Sequence, residues 1–293
     1  MVLVAATLFG LNGTVSKVVL ASGISAVELV QVRSIGAFVG FALAIALWRP
    51  GSLRVTRREL PFLAAFGIGG VAMVQWLYFI SIHRLPIGIA LLLQYLAPLI
   101  VALFAHYVMH QPVRRRIWAA LACSLAGLAL IVEVWSGGTL DGIGIVAAIG
   151  GAFAYAVYVL LAEREVGRRD PGSLLCYGFL FAALFWALAR PIWGFPAGRL
   201  DHSVSLLGRL GSTHAPIWLL MLLIVVVGTM VTFALIVGAL RHITATRLGI
   251  VAMLEPVAAS VVAYAWLGET FGGFQLAGGA IVLAGILLAQ SAR

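Results

Sequence analysis

Long apolar stretches, interrupted at intervals by short clusters of arginine, proline and glycine, run the whole length of the chain. A membrane-spanning helix needs about 20 consecutive apolar residues. The runs between interruptions supply ten such segments, at about 1–21, 26–48, 61–82, 87–109, 116–133, 141–162, 172–192, 217–240, 246–267 and 272–290. With their short connectors they use up nearly the whole sequence, so no separate soluble domain is expected. The prediction is an all-α polytopic membrane protein with ten transmembrane helices, acting within the bilayer.

Composition agrees with the pattern. Of 293 residues, 63% are hydrophobic and 10% charged, with a mean hydropathy of +1.11, whereas a soluble domain carries roughly 25% charged residues. A net charge of +9 would suggest nucleic acid as partner of a soluble protein. Here the basic residues sit in connectors between spans, where they set topology; the expected partners are the lipid bilayer and a small-molecule substrate, with no nucleic acid. Cys123 and Cys176 lie inside spans without a CxxC or His-containing metal spacing. They read as packing residues, and neither a metal nor a cofactor is expected. Met1 leads directly into an apolar run without a positive region or cleavage motif, so no signal peptide is expected.

Arginine placement predicts orientation, because positive residues collect on the cytoplasmic side. With cytoplasmic termini, Arg49, Arg54, Arg57, Arg58, Arg114, Arg115, Arg116, Arg164, Arg168, Arg169, Arg241, Arg247 and Arg293 lie inside. Arg84, Arg190, Arg199 and Arg209 lie outside, and Lys17 and Arg33 fall within spans. The bias predicts a multi-pass protein of the cell (inner) membrane with both termini cytoplasmic. The long connector from Arg190 to Pro216, with Trp193, Phe195, Leu206, Leu207 and Arg209, reads as a short interfacial helix or simply a longer loop.

One stretch breaks the apolar rule. Leu254-Glu255-Pro256 places a carboxylate and a helix breaker inside the run from Leu248 to Gly268. A charge in hydrocarbon costs at least a few kcal/mol and faces a protein interior or a water-filled cavity. Pro256 lacks an N–H and frees the Ala252 carbonyl, so two polar acceptors lie at one depth.

The chain also matches itself. At an offset of 158, Pro98 falls on Pro256, Gln111 on Glu269, Gly127 on Gly285, and His83-Arg84 on Arg241-His242. Upstream the offset is 144, with Phe9 on Phe153, and the connector around Arg190 to Pro216 accommodates the extra residues. Each copy then has five spans, an odd number, so the two run through the membrane in opposite senses, the arrangement of many secondary transporters with midplane sites. The predicted units are 1–133 and 141–290. Pro98 and Pro256 each lie about ten residues into a span, roughly 15 Å deep in a ~30 Å core, and read as paired hinges.

Leu254-Glu255-Pro256-Val257-Ala258-Ala259, Trp266-Leu267-Gly268-Glu269-Thr270, Gln275-Leu276-Ala277-Gly278-Gly279 and Leu283-Ala284-Gly285 resemble the second repeat of the EamA-like branch of the drug/metabolite transporter superfamily. Leu85-Pro86-Ile87-Gly88 and Tyr95-Leu96-Ala97-Pro98-Leu99-Ile100 are similar to its first repeat. The resemblance covers essentially the full length. It implies ten helices, alternating access and transport of a small metabolite, often outward. It also implies a central cavity lined by the first, third, fourth, sixth, eighth and ninth spans, with the fifth and tenth peripheral. The position expected to be acidic after the fourth span is Gln111, so the halves are not matched in acids.

Glu255 is the leading candidate, as a proton-exchanging group for coupling or as partner of a cationic substrate group; the structural alternative pairs it with Lys17, Arg33 or a neighbouring N–H. Gln94, one turn before Pro98, offers an amide to a polar substrate or to a neighbouring helix. Asn12 shares a face with Phe9 and Ser16 and has the same two roles open. Lys17 reads as an interfacial anchor, Glu269 as a boundary charge, and Arg33 as a partner of Glu255 or of a substrate carboxylate. Trp76, Phe79 and His83 form one stripe, Gln75 and Tyr78 another, and Tyr155 with Tyr158 an aromatic pair. These are candidates for substrate contact, with packing as the alternative, and their faces suit amphipathic molecules. Ala119, Cys123 and Gly127, and Ala280 with Ala284, read as small-residue lines for helix packing.

These residues predict a secondary transporter moving a small metabolite, an amino acid or related amphipathic compound, with export as the expected direction. No GxxxxGK[ST] loop for ATP is present. The alternative, an intramembrane enzyme acting on a lipid-linked substrate, calls for clustered His, Asp or Ser, and the six histidines are scattered. A channel calls for a charged ring or filter.

Overall fold

The computed structural model describes residues 1–85, 87–136, 141–191, 194–268, 270 and 272–291; Pro86, Trp193, Glu269 and Arg293, singled out above, lie outside them. Ten helices among the described residues are long and apolar enough to cross a membrane: Val2–Ala21, Ala26–Trp48, Leu60–Arg84, Ile89–Tyr107, Arg115–Val132, Gly142–Val166, Pro171–Ala189, Ile217–Ala239, Ala245–Leu267 and Gly273–Gln290. They are the first to tenth spans. Every predicted boundary falls within four residues; the widest gap is at Val166, where the helix outruns the expected end at 162.

Polar connector residues start several helices. Ser25 and Glu28 form a reciprocal capping box on the second span, with bonds of 2.7 and 3.3 Å. Asp141 accepts from the Gly144 N–H at 2.7 Å, and Asp170 caps the seventh span ahead of Pro171. The apolar side chains these helices cannot bury, such as Leu47, Val146, Leu188 and Leu287, point outward, as a lipid-facing belt requires.

The fourth and ninth spans are broken at corresponding places. Ile87–Gln94 gives way to Ala97–Tyr107 through a turn at Tyr95-Leu96, and Ala245–Ala252 to Leu254–Val262 through Met253. At each break the last turn tightens, with Leu96 N–H bonded to the Leu93 carbonyl and Met253 N–H to that of Ile250. Each proline sits just beyond its break, because its ring displaces the carbonyl four residues back. The eighth span widens instead: over Val226–Val231 it makes π-helical turns, and the Thr229 and Thr232 hydroxyls donate to carbonyls five residues back at 2.8 and 2.7 Å.

The fifth and tenth spans pack mainly on each other. Their backbones meet at Gly127 and Gly278, and Gly285 lies on Ser124, each leaving no room for a Cβ. Of the predicted small-residue lines, Gly127 is at the contact and the other members are not. Cys123, Ala280 and Ala284 are exposed, and the buried line is Ala120, Ser124 and Gly127 against Gly278, Val282 and Gly285. Small residues populate both faces of these helices, so composition did not identify the inner one. Cys176 is buried in the core and Cys123 is not.

The second and seventh spans lie together, with Phe41 stacked on Phe179 at 6.1 Å, and are tied at both ends. At one, Arg190 bonds Glu28 at 2.8 Å and its carbonyl accepts from Gln31 at 2.9 Å. At the end carrying both termini, Asp170 pairs with Arg49 at 3.2 Å, Ser173 bonds the Ser52 carbonyl at 2.7 Å, and Arg169 pairs with Glu59 at 2.8 Å. The Thr56 N–H, then Arg169, hold the Glu59 carboxyl down from its ordinary 4.5 to about 2.

The long connector is neither interfacial helix nor irregular loop. Ser203–Ser205 (β1) and His214–Pro216 (β2) form an antiparallel hairpin. Its tip covers the end of the ninth span: Trp266 Nε1 donates to the Leu206 carbonyl at 2.8 Å, and Arg209 lies 5.1 Å over the Tyr264 ring. Gly208, at φ 53, rests on the Trp266-Leu267 backbone where a Cβ would collide.

Candidate functional site

The two broken spans touch where they are broken. Gly249, in the first half of the ninth, lies against the Pro98 ring, leaving no space for a side chain. The turns at Tyr95-Leu96 and Met253 therefore lie side by side in mid-bundle, and Glu255, in the first turn after the second break, emerges beside the first. The Tyr95 hydroxyl faces the Glu255 carboxylate as hydrogen-bond donor.

Further groups converge on this carboxylate. Tyr78 of the third span, Tyr155 of the sixth and Arg33 of the second all interact with Glu255 electrostatically. Arg33 Nε donates to Thr229 Oγ1 at 3.1 Å, on the π-helical turn of the eighth span. Thr229 can accept this bond because its own hydrogen is committed to the Ile224 carbonyl. Arg33, Tyr78, Tyr95, Tyr155 and Glu255 are enclosed by protein, yet each keeps some accessible surface. Enclosed groups with residual accessibility form a polar cluster that a small molecule or water can reach.

Asn12 enters from the first span. It is buried at 7% exposure and packs on Gly228, next to Thr229. Its Oδ1 has no hydrogen-bond partner among the described residues, an expensive omission for a buried acceptor.

The sequence-selected residues divide on this map. Glu255, Tyr78 and Tyr155 belong to the central cluster, Asn12 lies on Gly228 beside Thr229, and Pro98 and Pro256 are buried beside the two breaks. Gln94 ends the first half of the fourth span and is half-buried. Phe79 packs against Tyr78 at 5.7 Å. Tyr158 stacks on Phe66 at 5.3 Å and meets Phe233 edge-on, a wall behind Tyr155. Gln75 donates to the Val71 carbonyl of its own helix at 3.0 Å. Trp76, 42% exposed, lies on Phe185 of the seventh span, about 200° around the helix from Tyr78. Lys17 and His83 are exposed, and Lys17 is not among the groups acting on Glu255. Tyr95 and Thr229 were not selected from the sequence. Tyr95 aligns with an unremarkable Met253 and Thr229 lies in an apolar run; the antiparallel crossing of the two broken helices is what brings Tyr95 to Glu255.

Ten spans around a central polar cluster, with two helices broken at the same level, are the arrangement of a membrane transport protein. Comparison with known proteins agrees. The profile of the EamA-like transporter family matches residues 1–133 and again 142–290, and the chain belongs to that family. It is 28% identical over 248 residues to the threonine/homoserine exporter RhtA of Escherichia coli K12, covering 84% of this chain and 77% of that one. It is 27% identical to a probable terminal-alkyne amino-acid exporter of Streptantibioticus cattleyicolor, over 84% and 78% of the two chains. A crystal structure 20% identical superposes with a TM-score of 0.76 over 99% of this chain and 96% of that one, a likeness of fold. The protein is thus a multi-pass membrane transporter of a small metabolite rather than an enzyme.

Proposed function

We propose that the protein is a secondary exporter of an amino acid or related amphipathic compound in the cell membrane, with both termini cytoplasmic. The carrying observation is the placement of one carboxylate, Glu255, at the crossing of two proline-broken helices, faced by Tyr95 from the other half of the chain. The printed activities of the exporter relatives support the substrate class and direction, and the arginine bias supports the orientation.

In this reading residues 1–133 and 141–290 are inverted five-span repeats that rock about Pro98 and Pro256, exposing the cavity to each side in turn. Glu255 carries either a proton or the substrate ammonium, but not both. Substrate leaving outward is replaced by a proton, which is released inward when the next substrate binds. Exclusive occupancy of a single carboxylate is sufficient for antiport.

The test is counterflow by the purified protein in liposomes, with amino acids supplied under an imposed pH gradient. Wild type accumulates substrate against its gradient when protons flow the other way. Glu255→Gln, which holds no exchangeable proton, loses the response to the gradient. An unchanged pH dependence in Glu255→Gln refutes the coupling role.

A further inference from the structure

The central cluster holds two opposite charges that do not meet. Arg33 and Glu255 feel one another electrostatically, yet no ion pair joins them among the described residues. In a low-dielectric interior such charges attract strongly, so something keeps them apart. Each is held on its own side by a neutral hydroxyl: Arg33 Nε by Thr229 at 3.1 Å, Glu255 by Tyr95. The Thr229 hydroxyl is fixed in turn to the Ile224 carbonyl, 2.8 Å away on the π-helical turn.

The anchoring leaves a specific vacancy of valence. Arg33 spends Nε on Thr229, and its two terminal nitrogens make no hydrogen bond among the described residues. A guanidinium tethered through Nε presents those nitrogens as a planar fork, the geometry that takes a carboxylate bidentately. On the opposite side Glu255 accepts donors, while Asn12 Oδ1, buried on Gly228 beside Thr229, is an acceptor without a partner among the described residues.

Resting on the transport reading above, we propose that the site takes the free zwitterion of an α-amino acid, Arg33 receiving its carboxylate and Glu255 its ammonium. The proposal fixes a distance. Charge-assisted contacts of about 2.8 Å at each end, plus about 3 Å from the amino nitrogen to a carboxylate oxygen, require roughly 8–9 Å between the guanidinium and the carboxylate, beyond the reach of a salt bridge. The substrate closes the circuit that the protein leaves open, and Arg33 is the residue that separates amino acids from simple amines. Tyr78 and Tyr155 line the remaining wall, leaving the side chain an aromatic surface and the backbone groups the charged one.

The experiment uses wild-type protein in liposomes and a panel of proteinogenic L-amino acids in counterflow. The best-moved member is then competed with its decarboxylated amine and its N-acetyl derivative. Each analogue, missing one charged contact, is expected to compete roughly ten- to a hundredfold more weakly than the parent. Arg33→Gln removes the discrimination between parent and amine, and Arg33→Lys restores part of it. The ratio is read on one preparation and does not depend on how much protein is folded. If amino acids move but amine and N-acetyl derivative compete as well as the parent, the zwitterion proposal fails and the transport reading stands. If no amino acid moves, the substrate class assigned above fails, and this proposal with it.

Discussion

Gly10 and Gly13 lie one turn apart on the first span, and the structure gives them opposite fates on substitution. A Cβ at Gly10 would stand 2.6 Å from the Ala259 nitrogen and 3.0 Å from the Ala258 carbonyl carbon; at Gly13 nothing lies within 4 Å. The obstacle at Gly10 is backbone, on the ninth span just past Glu255, and cannot rotate away. Ala at Gly10 must part the two helices by several tenths of an ångström, and overpacking of this kind costs about 1–3 kcal/mol. Ala at Gly13 meets no obstacle and gains up to about 1 kcal/mol of helix propensity. The propensity gain is common to both sites, so the two variants, identical in composition, should differ by the packing cost of roughly 1–3 kcal/mol, a separation in melting temperature of about 2–12 °C at roughly 2–4 °C per kcal/mol for a chain of this order of size. Thermal unfolding of the purified variants, followed by intrinsic fluorescence, reads it directly. Equal melting temperatures, or a less stable Gly13→Ala, would refute the packing of the first span on the ninth.

Other consequences are open to simple assays. Tyr95→Phe removes one hydrogen bond to a carboxylate, worth about 1 kcal/mol, and is expected to weaken transport roughly fivefold without loss of fold; wild-type rates would show that the hydroxyl does not position Glu255. Trp266→Phe deletes the bond to the Leu206 carbonyl and should speed tryptic cleavage after Arg209, whereas unchanged cleavage would mean the hairpin is held by other contacts. Glu59 has its folded pKa lowered to about 2, so its contribution is complete above its ordinary value near 4.5 and is lost as pH falls toward 2. Hydrogen exchange at Thr56 should accordingly be unaffected between pH 7 and pH 5 once corrected for intrinsic rate, and faster in Glu59→Gln at both.

The ten spans were legible because bilayer thickness imposes a length that the sequence must obey, and the charged connectors mark its ends. The prolines were legible for the same kind of reason: a missing N–H has one local consequence wherever it falls. Tyr95, Thr229 and the inner face of the fifth span were not, since their meaning depends on which helix lies opposite. Trp76 shows the converse, an aromatic on a promising span that the helix turns away from Tyr78. Two misjudgements have particular causes. The hairpin at Ser203–Ser205 and His214–Pro216 is too short for an alternating pattern to stand out, and Ala119 and Cys123 each sit one residue before the buried Ala120 and Ser124 of a line equally rich in small residues, which shares Gly127.

The ties at both ends of the second and seventh spans have a mechanical meaning. Fastened at Glu28–Arg190 and again at Arg49–Asp170, the two helices form a strut of fixed length that resists sliding but is free to lean. The second span has 23 residues, about 34 Å at 1.5 Å per residue, so a lean of about 10° about its middle carries each end roughly 3 Å sideways. Arg33, nearer one end, travels as cargo on that lever. A movement small enough to leave every tie intact would thus shift the guanidinium relative to Glu255, and leverage would set the grip on whatever lies between them.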